Sequence, residues 1–182
     1  MIRHIKKLIQ GQKKPVQSFP RFKNITIDPT FQIGEYKNIS IENGAKICIH
    51  PHVVMRNFCN VLVQKNGNLK IGENTFFNNY CSVNCLDEIE IGHDTLFGEG
   101  VKIYDHNHIY GLEDRALLVE RNKFKTSSVK IGNNCWIGSN VTILKGVEIG
   151  NNAIIGANNL IYKNIPANSI TKNTGTYVTE EW

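Results

Sequence analysis

The chain has little of what marks a cross-linked, membrane-spanning or nucleic-acid-binding protein. Its five cysteines, Cys48, Cys59, Cys81, Cys85 and Cys135, are odd in number and show no CxxC spacing. A disulfide framework does not fit that pattern, and a reducing compartment, the cytoplasm, does. No apolar run approaches the ~20 residues that a spanning helix needs. The N-terminal stretch MIRHIKKLIQGQKKP is basic but has no apolar core followed by small residues, so it does not read as a secretory signal. Charge of one sign is also scarce. The 21 Lys+Arg exceed the 16 Asp+Glu by only +5. Such an excess suits an anionic small ligand or an acidic lipid surface, and is too small and too spread to argue for nucleic acid.

What is there is an ordinary folded chain. Its 182 residues, 41% hydrophobic and 20% charged, are enough for one domain with a buried core. Residues 1–24 form an N-terminal extension. Ile2, Ile5, Leu8 and Ile9 would share one face of a short helix, with Arg3, Lys6 and Lys7 opposite. The first reading of that helix is a cap on the end of the scaffold. The second is a weak contact with the inner face of a membrane.

The dominant feature is a repeat. Isoleucine recurs at 131, 137, 143, 149, 155 and 161. Glycine follows it at 132, 138, 150 and 156, and position five is small or β-branched at Cys135, Val141, Val147 and Ala153. Earlier triplets run through Ile71, Phe77 and Val83, and through Ile91, Phe97 and Ile103. Fainter ones run through Ile41, Ile47 and Val53, and through Ile27 and Ile33. A period of six is neither helical nor a simple strand alternation. It fits a triangular coil in which each hexad is one short strand and a turn, three hexads closing one coil. The aliphatic residue and the position-five residue face inward, and Asn and Gly take the left-handed corners. About six coils are expected over residues 25–165, with a tail over 166–182. A small bulge is expected between Val83 and Ile91, whose spacing is eight. Cys81 and Cys135 fall at inward positions, whereas Cys48, His50 and His52 should face outward together.

The repeat stops once. The interval from Ile103 to Ile131 exceeds one hexad, and even a whole coil of three. The chain should therefore leave the coil near Tyr104 and return near Val129. Such an excursion from a compact solenoid is usually functional. It contains Asp105, His106, His108, Glu113, Asp114, Arg115, Arg121, Lys123 and Lys125.

The repeat, with VKIYDHNH before the excursion and FKTSSVKIGNNCWIGSNVTILKGVEIG after it, resembles the hexapeptide-repeat acetyltransferases. Within them it looks like the maltose/galactoside O-acetyltransferases, and more closely like the O-acetyltransferases of bacterial surface-polysaccharide synthesis. The resemblance implies a left-handed parallel β-helix, acetyl-CoA as cosubstrate, no metal, a sugar or polysaccharide-precursor acceptor, and a homotrimer whose sites are shared between subunits. A Thr-His-Pro histidine is the catalytic base of the sugar acetyltransferases, and counting on from Ile103 and Tyr104 sets His108 on it. His106 is the second candidate. An Arg seven residues later matches Arg115, whereas Ile109 stands where the family often has Pro. Asn84 is the candidate for an acceptor-binding Asn, with Asn79 competing. Trp136 matches the residue that flanks the coenzyme thiol. Gly138, Ser139, Ala157 and Lys163 fall at positions that meet the pantetheine arm and phosphates. The family's basic Gly-x-Pro-Ala ending is absent, and Lys172 is the available substitute.

The chemistry calls for such groups. A sugar hydroxyl is a poor nucleophile near neutrality, and a neutral imidazole takes its proton as it attacks the thioester. Asp105 is a candidate to orient that ring, or else it bonds backbone in the turn. N-acetylation of an amino sugar or an antibiotic is the alternative on the same machinery. A zinc enzyme of the γ-carbonic anhydrase type needs three converging histidines, and His93, His106 and His108 lack the spacing. A non-catalytic solenoid would leave the histidine segment without a purpose.

Overall fold

The computed structural model describes residues 24–173. The expected N-terminal helix, and the tail from residue 174, lie outside the described residues. Three parallel sheets of short strands form the sides of a triangular solenoid. Sheet A stacks Ile25–Ile27, Lys46–Ile49, Asn68–Ile71, Glu88–Ile91, Val129–Ile131 and Glu148–Ile149. Sheet B stacks Gln32–Ile33, Val54–Met55, Phe76–Phe77, Leu96–Phe97, Trp136–Ile137, Ile154–Ile155 and Ile170–Thr171. Sheet C stacks Asn38–Ile41, Asn60–Val63, Ser82–Cys85, Lys102–Tyr104, Thr142–Ile143 and Leu160–Ile161. The chain runs A to B to C in each coil.

The hexad isoleucines point into the triangle. Ile131, Ile137, Ile143, Ile149, Ile155 and Ile161 are all buried, as are Cys135, Val141, Val147 and Ala153 at position five. Phe77 and Phe97 stack in the core with centroids 4.4 Å apart. Each coil pairs its backbone with the next, so every layer satisfies its neighbour and none stands alone. Position five also carries hydrogen bonds. Thr75 Oγ1 donates to the Gly92 carbonyl and Thr95 Oγ1 to that of Gly132, both at 3.0 Å. The thiols of Cys81 and Cys135 donate in the same way to Gly98 and Gly150. All five cysteines are free thiols. Asn134, Asn140, Asn152, Asn158 and Asn168 turn corners with positive φ, where Asn is tolerated far better than bulkier residues.

The early coils are longer than three hexads. Ile27 pairs with Ile49, Ile49 with Ile71, and Ile71 with Ile91. Each of these steps exceeds the regular one from Ile131 to Ile149. The added length sits at the corner from C to A, where both flanking strands grow to four residues. The triplet Ile41, Ile47 and Val53 is therefore out of phase, and the equivalent layer is Ile49, Met55 and Val61. The expected bulge after Val83 is absent too. Ser82–Cys85 pairs without a break on both sides, and Leu86–Asp87 is a short bend between two four-residue strands. Backbone pairing also runs past residue 165. Ile165 bridges Ile149, and Ile170–Thr171 pairs with Ile154–Ile155.

The excursion is strand rather than loop. His106–Glu113 pairs antiparallel with Ala116–Thr126 around a two-residue turn, Asp114–Arg115, whose φ values are 49° and 66°. Positive φ at both central residues is the tight turn that suits the twist of a hairpin. The β-formers Ile109, Tyr110, Leu112, Leu117, Leu118 and Val119 explain the pairing. The register slips between His108 and Ile109, whose partners are Phe124 and Glu120. The hairpin leaves the triangle at the C–A edge, opposite the side formed by sheet B.

Candidate functional site at the hairpin base

Asp105 anchors the hairpin to the coil. Its side chain is fully buried and its carboxylate accepts from Leu86 N at 2.9 Å and Asp87 N at 2.7 Å. Its own carbonyl accepts from Ser127 N, across the return of the hairpin, at 2.9 Å. Elsewhere corner amides such as Glu42 N and Gln64 N reach a carbonyl of the next coil. Here the next coil has left for the hairpin, and the Asp105 carboxylate takes the place of that carbonyl. Burial alone would push this carboxyl up. The His106 ring and the Leu86 and Asp87 amides more than offset it and hold it below the usual carboxylate range. The same charge, added to burial, pushes the Cys85 thiol up to about 12.

Asp105 faces His106, not His108. His106 Nδ1 lies 3.0 Å from Asp105 Oδ1. The carboxylate is therefore set beside the second candidate ring and not the first. The residue that begins the hairpin turns inward, and its neighbour on the chain is the ring within reach. His108 has a different partner. Its Nδ1 sits 3.2 Å from the Glu120 carbonyl. A carbonyl only accepts, so Nδ1 carries a proton, and in the neutral imidazole the lone pair is on Nε2. Phe124 holds both rings, edge-on to His106 at 5.3 Å and tilted against His108 at 4.6 Å. Tyr104 lies perpendicular to the His106 ring, with centroids 5.9 Å apart. His106 is largely buried, with 15% of its side chain accessible, and His108 is exposed. Phe124 escaped the sequence reading because its role follows from the hairpin register.

Asn84 stands in register with Tyr104, one coil below the hairpin base. Its amide is engaged with Ser82 Oγ at 2.9 Å and Asn60 Nδ2 at 3.2 Å. Asn79 lies on the B–C corner, its Oδ1 accepting from Asn57 N, away from the hairpin base. Arg115 is at the hairpin tip, far along the strands from His108.

The candidate coenzyme residues lie elsewhere. Trp136 is 50% exposed on the outer face of sheet B, between Leu96 and Ile154. Gly138, Ser139 and Ala157 turn the adjoining B–C corner. A Cβ on Gly138 would come within 2.6 Å of Ala157 N, so glycine is required there for coils to approach. Lys163 does not join them. It follows sheet C, at the C–A corner two coils beyond the hairpin, beside the Tyr162 ring. His93 turns the A–B corner and bonds Asp94 at 2.8 Å, so the three histidines do not converge. A cleft of about 350 Å³ at the C-terminal end is lined by Glu148, Gly150, Asn164, Ile165, Pro166 and Ala167, and none of the candidate residues is in its lining.

Sheet B carries a feature that the hexad spacing does not announce. Beyond Gln32, its outward residues are Val54, Phe76, Leu96, Trp136, Ile154 and Ile170, an unbroken apolar row. Sheet A, by contrast, turns out Thr26, Cys48, Lys70, Glu90, Lys130 and Glu148, with a Lys70–Glu90 ion pair at 2.8 Å.

A three-sided parallel solenoid interrupted by one histidine hairpin defines the class: the left-handed parallel β-helix of the hexapeptide-repeat proteins. Residues 128–163 match the family described as bacterial transferase hexapeptide (six repeats). The fold and this repeat stretch are similar to those of hexapeptide-repeat acetyltransferases. Among solved structures, the polysialic acid O-acetyltransferase OatWY is 26% identical, with a TM-score of 0.56 over 80% of this chain and 79% of that one. An acetyltransferase of Vibrio cholerae, solved with acetyl coenzyme A, is 27% identical, with a TM-score of 0.51 over 71% of this chain and 64% of that one. A putative lipopolysaccharide biosynthesis O-acetyl transferase of Escherichia coli K12, WbbJ, is 32% identical over 109 residues, 57% of this chain and 56% of that protein. The chain spans about half the length of the curated relatives it matches.

Proposed function

We propose that the protein transfers the acetyl group of acetyl-CoA to a hydroxyl of a sugar acceptor in the synthesis of a bacterial surface polysaccharide, in the cytoplasm, with His108 as general base. The observation that carries this reading is the exposed His108 ring, with Nδ1 held by the Glu120 carbonyl so that Nε2 is the nitrogen left to take a proton. Nε2 takes the acceptor proton as the hydroxyl oxygen attacks the thioester carbonyl. The C–S bond then breaks, and the imidazolium returns the proton to the departing thiolate. The Asp105–His106 pair positions the hairpin from below. The relatives named for O-acetyl transfer to lipopolysaccharide and polysialic acid support the acceptor class.

The site is completed by a second copy. His108 leaves from the C–A edge, and Trp136 lies on the face opposite that edge, so one chain cannot bring them together. Docking the hairpin of one copy on sheet B of the next would unite them and cover the apolar row. Tyr110, Leu112, Leu117 and Val119 form an apolar hairpin face available for that contact. A contact of one surface with a different one closes into a ring when the rotation between copies closes, and a homotrimer is the assembly we infer.

Calorimetric titration of acetyl-CoA into wild type and His108→Ala tests the reading. Saturable binding near one site per subunit is expected in both, with transfer to sugar acceptors falling about 10²–10⁴-fold in the variant. Failure of the wild type to bind acetyl-CoA would sink it.

A further inference from the structure

The B–C corner carries a feature that acetyl transfer does not explain. Tyr36, Phe58 and Tyr80 occupy the same corner position in three successive coils, with φ of 51°, 60° and 62°. The later coils place Gly100, Asn140 and Asn158 there, with φ of 70°, 58° and 59°. The left-handed region suits glycine and asparagine and disfavours bulky residues, so three aromatics in a row are costly. They stack nearly parallel, Tyr36 on Phe58 at 4.9 Å and Phe58 on Tyr80 at 4.8 Å. Stacking offsets part of that strain. It does not explain why the ladder stops at a glycine.

The stop ends the stacking at Tyr80, whose ring is stacked on Phe58 and which is 52% exposed. Above Tyr80 the next coil has no side chain, only Gly100. On the far side of the gap, Asn140 Oδ1 leans to within 2.6 Å of where a Gly100 Cβ would be. The Asn140 Nδ2 is turned away, donating to Asn158 Oδ1 at 3.2 Å. Lys102 Nζ reaches the same spot and donates to the Gly100 carbonyl at 3.2 Å, with two further protons to offer. The slot therefore has an apolar aromatic floor, a hydrogen-bond acceptor as its roof and an ammonium at its side.

We propose that this step in the ladder is a subsite for a pyranose ring of the acceptor. A pyranose has an apolar C–H face, which packs on an aromatic ring, and a rim of hydroxyls that both donate and accept. Asn140 Oδ1 would accept from one hydroxyl, and Lys102 would donate to another or to a ring carboxylate. A puckered ring also fills a layer of one coil height, which a flat base would not. The corner adjoins sheet B, where Trp136 and the docked hairpin meet in the proposed assembly. The inference rests on the acetyltransferase reading for its meaning, but its test needs no coenzyme.

The probes are methyl α-glucoside, methyl β-galactoside, methyl β-glucuronide and adenosine, observed by saturation-transfer NMR with the full chain. Two variants are compared with wild type. Tyr80→Asn removes the floor and keeps a residue suited to positive φ. Gly100→Asn fills the slot and extends the Asn140–Asn158 ladder, and its Cβ comes closest to the movable end of Asn140. Transfer to the ring C–H protons of at least one glycoside in wild type, lost to background in both variants at unchanged mass and acetyl-CoA binding, is expected. Three results overturn the subsite: no transfer to any glycoside in wild type, equal transfer in wild type and Gly100→Asn, or transfer to adenosine alone. A change of oligomeric mass in Tyr80→Asn also overturns it, making the ladder a subunit contact. Retained acetyl-CoA binding in any of these cases leaves the acetyltransferase reading standing.

Discussion

At the scale of single residues, Asp105 has a structural task where a motif reading assigns it to catalysis. It replaces a missing coil carbonyl for two amides and holds the His106 ring. Removing it orphans buried donors, so Asp105→Ala should cost about 3 kcal/mol or more in a denaturant titration. The pH dependence has a definite sign. The carboxyl is depressed in the folded chain and sits at about 4 when unfolded. It therefore stabilises above pH ~4, and that contribution fades as pH falls through the depressed value. Asp105→Asn should be less stable than wild type at neutral pH, and the difference should shrink below pH ~4. A constant difference across that window would mean that the carboxylate charge is not what anchors the hairpin.

At the scale of elements, the hairpin and the coils are separable. Its two strands pair with each other alone, and most of its side chains are exposed. Replacing residues 107–125 with a short turn should leave each coil folded, with a cooperative melt, while it dissolves the docked assembly and abolishes transfer. Collapse of the melt would show that the hairpin supports the coil. The same separation governs what the sequence discloses. The hexad isoleucines read directly, because one residue type marks the inward position at constant spacing. The early coils hide their phase, because Asn38–Ile41, Asn60–Val63 and Ser82–Cys85 each lengthen one side and break the period of six. The aromatic ladder was hidden for that reason: Tyr36, Phe58 and Tyr80 recur at the longer step of the early coils, not at three hexads. Asp105 and the two histidines were legible as a group. Their pairing was not, since strand alternation and the slip after His108 decide which ring meets the carboxylate and which meets Glu120.

At the scale of the molecule, the placement of His108 and Trp136 on opposite sides of one triangular solenoid makes a prediction about mixtures. If each site takes its histidine hairpin from one copy and its tryptophan face from the next, no subunit needs both residues intact. The His108→Ala and Trp136→Ala proteins should each be close to inactive. Unfolding the two together and refolding at equal ratio should produce some interfaces joining an intact hairpin to an intact sheet B. Random assembly of a cyclic trimer gives about one quarter of the sites that pairing, hence about one quarter of wild-type activity. Sites contained within single chains would leave the mixture as inactive as its parents. Recovered activity also distinguishes a ring from unrelated aggregation, because only the heterologous contact, C–A edge against sheet B, brings the surviving residues together. The apolar row of Val54, Phe76, Leu96, Trp136, Ile154 and Ile170 would then be the buried side of that contact, and a charge at Leu96 should abolish assembly and activity together.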